Sequence, residues 1–120
     1  MRDWVARQEN HTLFVSVVTI MELELGGALK ERRDPEQGAR LRRWLTERVI
    51  AAFADRIVAV DLPVAQQAAA LPVPDHRPER DAPIAATART HGMTVVTRNG
   101  RDFTPTGVDV LDPWEWSQEP

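Results

Sequence analysis

The chain contains no cysteine, which excludes disulfides and thiolate-held metals and fits a reducing compartment, the cytoplasm. It has no apolar run of membrane-spanning length, and its N-terminus lacks the apolar core of a signal peptide. No membrane association is expected. An excess of positive charge is missing too. Fifteen Lys and Arg against 18 Asp and Glu leave a formal net charge of −3. There is thus no global basic footprint, and any contact with nucleic acid rests on local placement of arginines. Lysine occurs once, at Lys30, with arginine at every other basic position, a bias of composition rather than a sign of function. No internal repeat or low-complexity tract is found. At 120 residues the chain is expected to form a single domain, residues 1–120, with one core and a frayed tail over 115–120.

Strand and helix signals alternate along the chain. Residues 1–10 read as the end of a helix anchored by Trp4 and Val5. Thr12 to Val15 is a short strand. Ser16 is placed to cap a helix whose apolar face is Val17, Val18, Met21, Leu25 and Ala28. Glu22 stands beside that stripe, and Gly26-Gly27 weakens the helix while allowing close backbone approach. Asp34-Pro35-Glu36-Gln37 is a second helix start: a capping acid, proline in the first turn and glutamine in capping-box position. Leu41, Trp44, Leu45, Val49, Ala52 and Phe53 continue it, with Trp44 expected in the core. Arg56 to Val60 is a strand, and Asp61 caps a short helix reaching about Leu71. Pro72, Pro74 and Pro78 make the following segment a loop containing His76. Val108 to Leu111 is a last strand, followed by Trp114 as packing near the sheet edge. Alternating strands and helices with short connections predict an α/β fold: a parallel sheet with helices on both faces.

The stretch from Arg80 to Phe103 organises the rest. Asp81 is expected where a helix begins, with Pro83 in its first turn and Ile84, Ala85 and Ala88 as a narrow apolar stripe. His91 and Gly92 close the helix. Met93 to Thr97 reads as a strand buried on both faces. Arg98, Asn99, Gly100, Arg101 and Asp102 then form a polar loop at that strand's C-terminal end, the place where open α/β sheets bind ligands.

Taken together, SVVTIMELELGG, the Asp34-Pro35 helix, RIVAVD, DAPIAATARTHGMTVVTRNGRDF and VDVLDPW resemble the PIN domain. The nearest branch is that of the toxins of VapBC-type toxin–antitoxin pairs, including FitB-like ones. The resemblance spans roughly residues 4 to 114 and implies a three-layer PIN-like fold and a metal-dependent ribonuclease. It matches Glu22, Asp81 and Asp102 to the family's acidic positions, which hold Mg²⁺ or Mn²⁺ in members of the family, and Thr97 and Asn99 to polar residues of the same site. The family's further acid, in a D-T-N motif ending an N-terminal strand, has no counterpart here. The resemblance therefore implies an N-terminally truncated domain whose first, central strand is missing, leaving its two neighbouring strands each short of a partner.

Hard divalent cations are held by oxygen ligands. One or two of them can activate water, neutralise a phosphate and stabilise the leaving oxygen. Arg80, Arg98 and Arg101 stand near the acids and are candidates for drawing in the RNA backbone. Taken singly, Asp81 reads as a helix cap and Asp102 as a turn residue, and only the surrounding blocks give them chemistry. Arg98 and Arg101 fit solvated loop charges and substrate contacts equally well. By resemblance the partners are RNA, a cognate antitoxin and a second copy of the chain. The alternative is a catalytically inactive truncated module that binds an antitoxin or another protein.

Overall fold

The computed structural model describes residues 12–71, 78–98 and 100–113, and the side chains of residues 78 and 79 are not among what is described. The N-terminal helix expected over residues 1–10, the loop around His76, Trp114 and the tail beyond it lie outside these residues.

One compact unit runs from Leu13 to Ala59. It holds β1 (Val15–Ser16), α1 (Val17–Arg33), α2 (Pro35–Trp44), a π-helical turn over Leu45–Ile50 and β2 (Ile57–Val58). The strands pair in parallel, Val15 with Ile57 and Ser16 with Val58. The helix boundaries follow from local chemistry. Ser16 Oγ accepts from the Val18 N–H at 3.1 Å, satisfying one of the amides that a helix start leaves without an internal partner. Asp34 serves two helices. Its N–H donates to Lys30 O at 2.8 Å and ends α1, while its Oδ1 accepts from the Gln37 N–H at 3.1 Å and caps α2.

α1 and α2 meet through small residues. Gly38 is buried against the α1 backbone so tightly that a Cβ there would overlap Glu31. Gly27 is buried beneath the Arg42 stem, whose guanidinium reaches Glu24 at 3.7 Å and Glu31 at 3.5 Å. This crossing overturns two sequence expectations. The face of α1 toward α2 carries Glu24, Gly27 and Glu31, so Val17, Met21 and Leu25 are left exposed while Val18 is buried. Trp44 is 47% exposed rather than core, and Leu45 beside it is 1% exposed. Gly26 has open space around it and plays no part in the approach.

The other unit takes in the described residues from Val60 onward. Its elements are α3 (Leu62–Ala70), α4 (Pro78–His91), β3 (Val95–Val96), two 3₁₀ turns (Gly100–Asp102 and Thr104–Thr106) and β4 (Val110–Leu111). Asp61 caps α3 by accepting from the Val64 N–H at 3.1 Å. β3 and β4 are parallel, Val95 with Val110 and Val96 with Leu111. Strand pairing among the described residues thus consists of two parallel pairs of two strands each, in keeping with an α/β fold. The core of this unit is Ala85, Ala88, Val95 and Phe103, with Leu71, Ile84, Met93, Val108 and Val110 packed around it. Val96 is 40% exposed, so β3 is buried on one face, not on both as its two valines suggest.

α4 ends as its sequence requires. Gly92 takes a left-handed φ of 65°, and the Met93 N–H turns back to Ala88 O at 2.8 Å, closing the last turn. Its start differs from expectation. The helix begins a turn earlier, at Pro78, because a proline suits the first helical position, where no internal bond needs its N–H. Pro83 consequently lies inside the helix, and Thr87 Oγ1 donates to Pro83 O at 2.8 Å.

Candidate active site

Asp81 lies in the first turn of α4 and is only 6% exposed. A carboxylate there gains from the positive end of the helix dipole, and a buried charge is tolerated only where something compensates it. Asp81 does have an interaction partner within the fold.

Thr97 follows β3 directly. Its N–H donates to Leu111 O at 3.0 Å, which extends the ladder with β4 and fixes where the loop departs. Asn99 lies outside the described residues. Asp102, half-buried, closes the first 3₁₀ turn, and Arg98 and Arg101 are exposed around it. Arg80, half-buried, precedes Asp81 on α4.

The unit from Val60 onward therefore carries Asp81, Thr97 and Asp102 together with all three candidate substrate arginines. Glu22, half-buried, sits on α1 in the other unit. Glu22, Arg80, Thr97 and Arg98 each have an interaction within the chain. Among the described residues, no three or more His, Asp or Glu gather closely enough to hold a metal ion.

The donors on offer are carboxylate and hydroxyl oxygens, the set a hard cation prefers and a soft one does not. The loop that presents Asp102 is held by packing and by its own hydrogen bonds. Phe103 is 5% exposed and buried in the core with Ala85 and Ala88. Thr104 Oγ1 donates to Gly100 O at 3.0 Å, and Thr106 Oγ1 donates to Phe103 O at 2.5 Å. Sequence reasoning assigned nothing to Arg89, whose Nη1 donates to Thr106 O at 3.1 Å. A basic residue in the last turn of a helix carries no signal that it reaches a loop seventeen positions on.

Comparison with known proteins decides the family. The PIN domain family model matches residues 1–107. The chain belongs to the PIN domain family. Its relatives include VapC ribonuclease Y4jK of Sinorhizobium fredii, 32% identical over 93% of this chain and 82% of that protein. Toxin FitB of Neisseria gonorrhoeae is 35% identical over 85% of this chain and 76% of its own length. The crystal structure of FitAcB from Neisseria gonorrhoeae superposes with a TM-score of 0.83 at 29% identity, covering 95% of this chain and 84% of that one. The PIN-like α/β fold and the VapC/FitB-type branch read from the sequence are both borne out.

Proposed function

We propose that this PIN domain is a metal-dependent endoribonuclease of the toxin type, acting in the cytoplasm and neutralised by a cognate antitoxin. The observation that carries the reading is the Asp81 carboxylate, buried at the start of α4 in the unit that also presents Asp102 and Thr97 from the far end of β3. The ribonuclease name of one relative and the toxin name of another support it.

Asp81 and Asp102 would offer carboxylate oxygens to Mg²⁺ or Mn²⁺, directly or through water, and Glu22 is the further acid that the family resemblance assigns to the same task. When bound, such an ion supplies charge neutralisation at the phosphate and a more acidic water. The residues of the chain do the rest. Thr97 and Asn99 orient a carboxylate, a water or the scissile phosphate by hydrogen bonding. Arg80, Arg98 and Arg101 attract the RNA backbone without reading its sequence. Single-stranded segments are the natural substrate, because their phosphates and bases are open to protein contact.

The antitoxin reading draws support from the Fit complex whose structure the chain resembles. It also draws on the apolar side chains left exposed on and just before α1: Phe14, Val17, Met21, Leu25 and Leu29. Positions 17, 21, 25 and 29 follow one another at helical spacing, and apolar surface of this kind marks protein contact. A homodimer is the second expected assembly.

The test is cleavage of a single-stranded RNA in Mg²⁺ and in Mn²⁺ by the parent chain and by Asp81→Ala. Cleavage by the parent and its loss in the variant support the enzyme. Equal behaviour of the two favours a module that binds protein without catalysing.

A further inference from the structure

The segment carrying Asp102 is fastened to α4 and β4 at three separate points. Gly100, two residues before Asp102, comes so near β4 that a Cβ on it would lie 3.0 Å from Val110 Cγ1. Phe103, the residue after Asp102, is buried in one cluster with Ala85, Ala88 and Val95. Ala85 follows Asp81 by four positions, so it shares Asp81's side of α4 one turn further along. The third fastening is the hydrogen bond from Arg89 Nη1 to Thr106 O. Between these points the two 3₁₀ turns are closed by their own bonds: the Phe103 N–H to Gly100 O at 3.0 Å and the Thr106 N–H to Phe103 O at 3.0 Å.

Two of the fastenings, Phe103 and Gly100, act by packing. Arg89 reaches across by a directed polar bond, from an exposed position in the last turn of the helix whose first turn holds Asp81. The carbonyl it takes belongs to the residue before Gly107, which turns the chain at a left-handed φ of 80° into β4. The Thr106 carbonyl thus lies where the chain turns toward β4, and it accepts from a side chain of the Asp81 helix.

We propose that Arg89 is a positioning residue: through Thr106 it fixes the 100–107 loop on α4 and thereby sets where Asp102 stands relative to Asp81. The inference rests on the nuclease reading of those two acids. A side chain in the last turn can also serve only as a cation at the negative end of the helix dipole. Such a role would change stability and leave the acids where they are.

The experiment uses the full chain and four variants: Arg89→Ala, Arg89→Lys, Asp81→Asn and Asp102→Asn. The readouts are Mn²⁺ affinity by electron paramagnetic resonance, hydrogen exchange at the Phe103 and Thr106 amides, and the kcat and KM for a single-stranded RNA. Positioning predicts that Arg89→Ala weakens Mn²⁺ binding and lowers kcat by about 10-fold, in line with the loss of an outer partner of a metal site. KM should hold, exchange at both amides should quicken, and Arg89→Lys should recover most of the loss by donating to the same carbonyl. Unchanged Mn²⁺ affinity and kcat in Arg89→Ala, with both Asp variants impaired, overturns the positioning role and keeps the nuclease. Unchanged Mn²⁺ affinity in the two Asp variants themselves overturns the nuclease reading and the inference with it.

Discussion

Arg56 joins the two ends of the first unit through a single side chain. Its Nη1 donates to Leu13 O at 2.9 Å and its Nη2 to Ala52 O at 2.5 Å, while the guanidinium lies 5.0 Å from the centre of the Phe53 ring. It thereby satisfies a carbonyl at the end of the α2–π helical segment and one just before β1. Its own carbonyl accepts from the Val15 N–H at 3.0 Å, beside the β1–β2 ladder. Arg56→Met keeps the packing stem but removes the donors. It should cost about 1–3 kcal/mol, the usual consequence of leaving a partly buried carbonyl, here that of Leu13, unpaired, read as a lower urea midpoint. Arg56→Lys should restore only part of this, since one ammonium cannot reproduce a planar fork that spans two carbonyls. The sequence marked Arg56 as the start of a strand and held no hint of this role, because Leu13 is distant in the chain.

At the level of elements, Gly38 of α2 and Gly26 of α1 give opposite forecasts from the same substitution. Gly38→Ala places a methyl group into the Glu31 backbone and must push α1 and α2 apart. Overpacking of this kind costs about 1–3 kcal/mol, and hydrogen exchange in both helices should rise. Gly26→Ala meets nothing within 4 Å and sits at an ordinary helical φ. It should stabilise the protein by about 0.5–1 kcal/mol through the reduced backbone entropy of the unfolded chain, seen as a higher melting temperature. The caps at Ser16, Asp34 and Asp61 and the glycine stop at Gly92 were legible in the sequence, because a cap is settled by a few neighbouring atoms. Burial was not. Leucines and a tryptophan at helical spacing were read as a core face, but which face is covered depends on where two glycines let another helix approach. That is why Trp44 and Met21 are exposed. The start of α4 was missed for a related reason: Pro78 signals a loop and a first helical residue equally well, and only the helix around it chooses.

For the molecule as a whole, the family was legible because several blocks from distant parts of the chain coincide, each weak alone. The candidate site is read from the sequence as a set of residue types, three acids with a threonine and an asparagine, matched to the family by resemblance. What holds the Asp102 loop to α4 was not legible, since it runs through a backbone carbonyl, which leaves no mark on residue identity. The described residues include no helix long and apolar enough to cross a membrane. If a divalent ion does the chemistry, EDTA should stop RNA cleavage, and Mg²⁺ or Mn²⁺ added in excess should restore it, whereas a metal-free mechanism would run on unchanged in chelator.

The measurement that bears most directly on the account is Mn²⁺-supported cleavage of a single-stranded RNA, compared between the parent chain and Asp81→Asn. The substitution keeps the shape of a buried side chain and removes the charge that would hold the ion. The account predicts a fall of at least about 100-fold in the cleavage rate, larger than the loss of an outer partner gives, with the folded state retained by circular dichroism. Equal rates in the two proteins would contradict it.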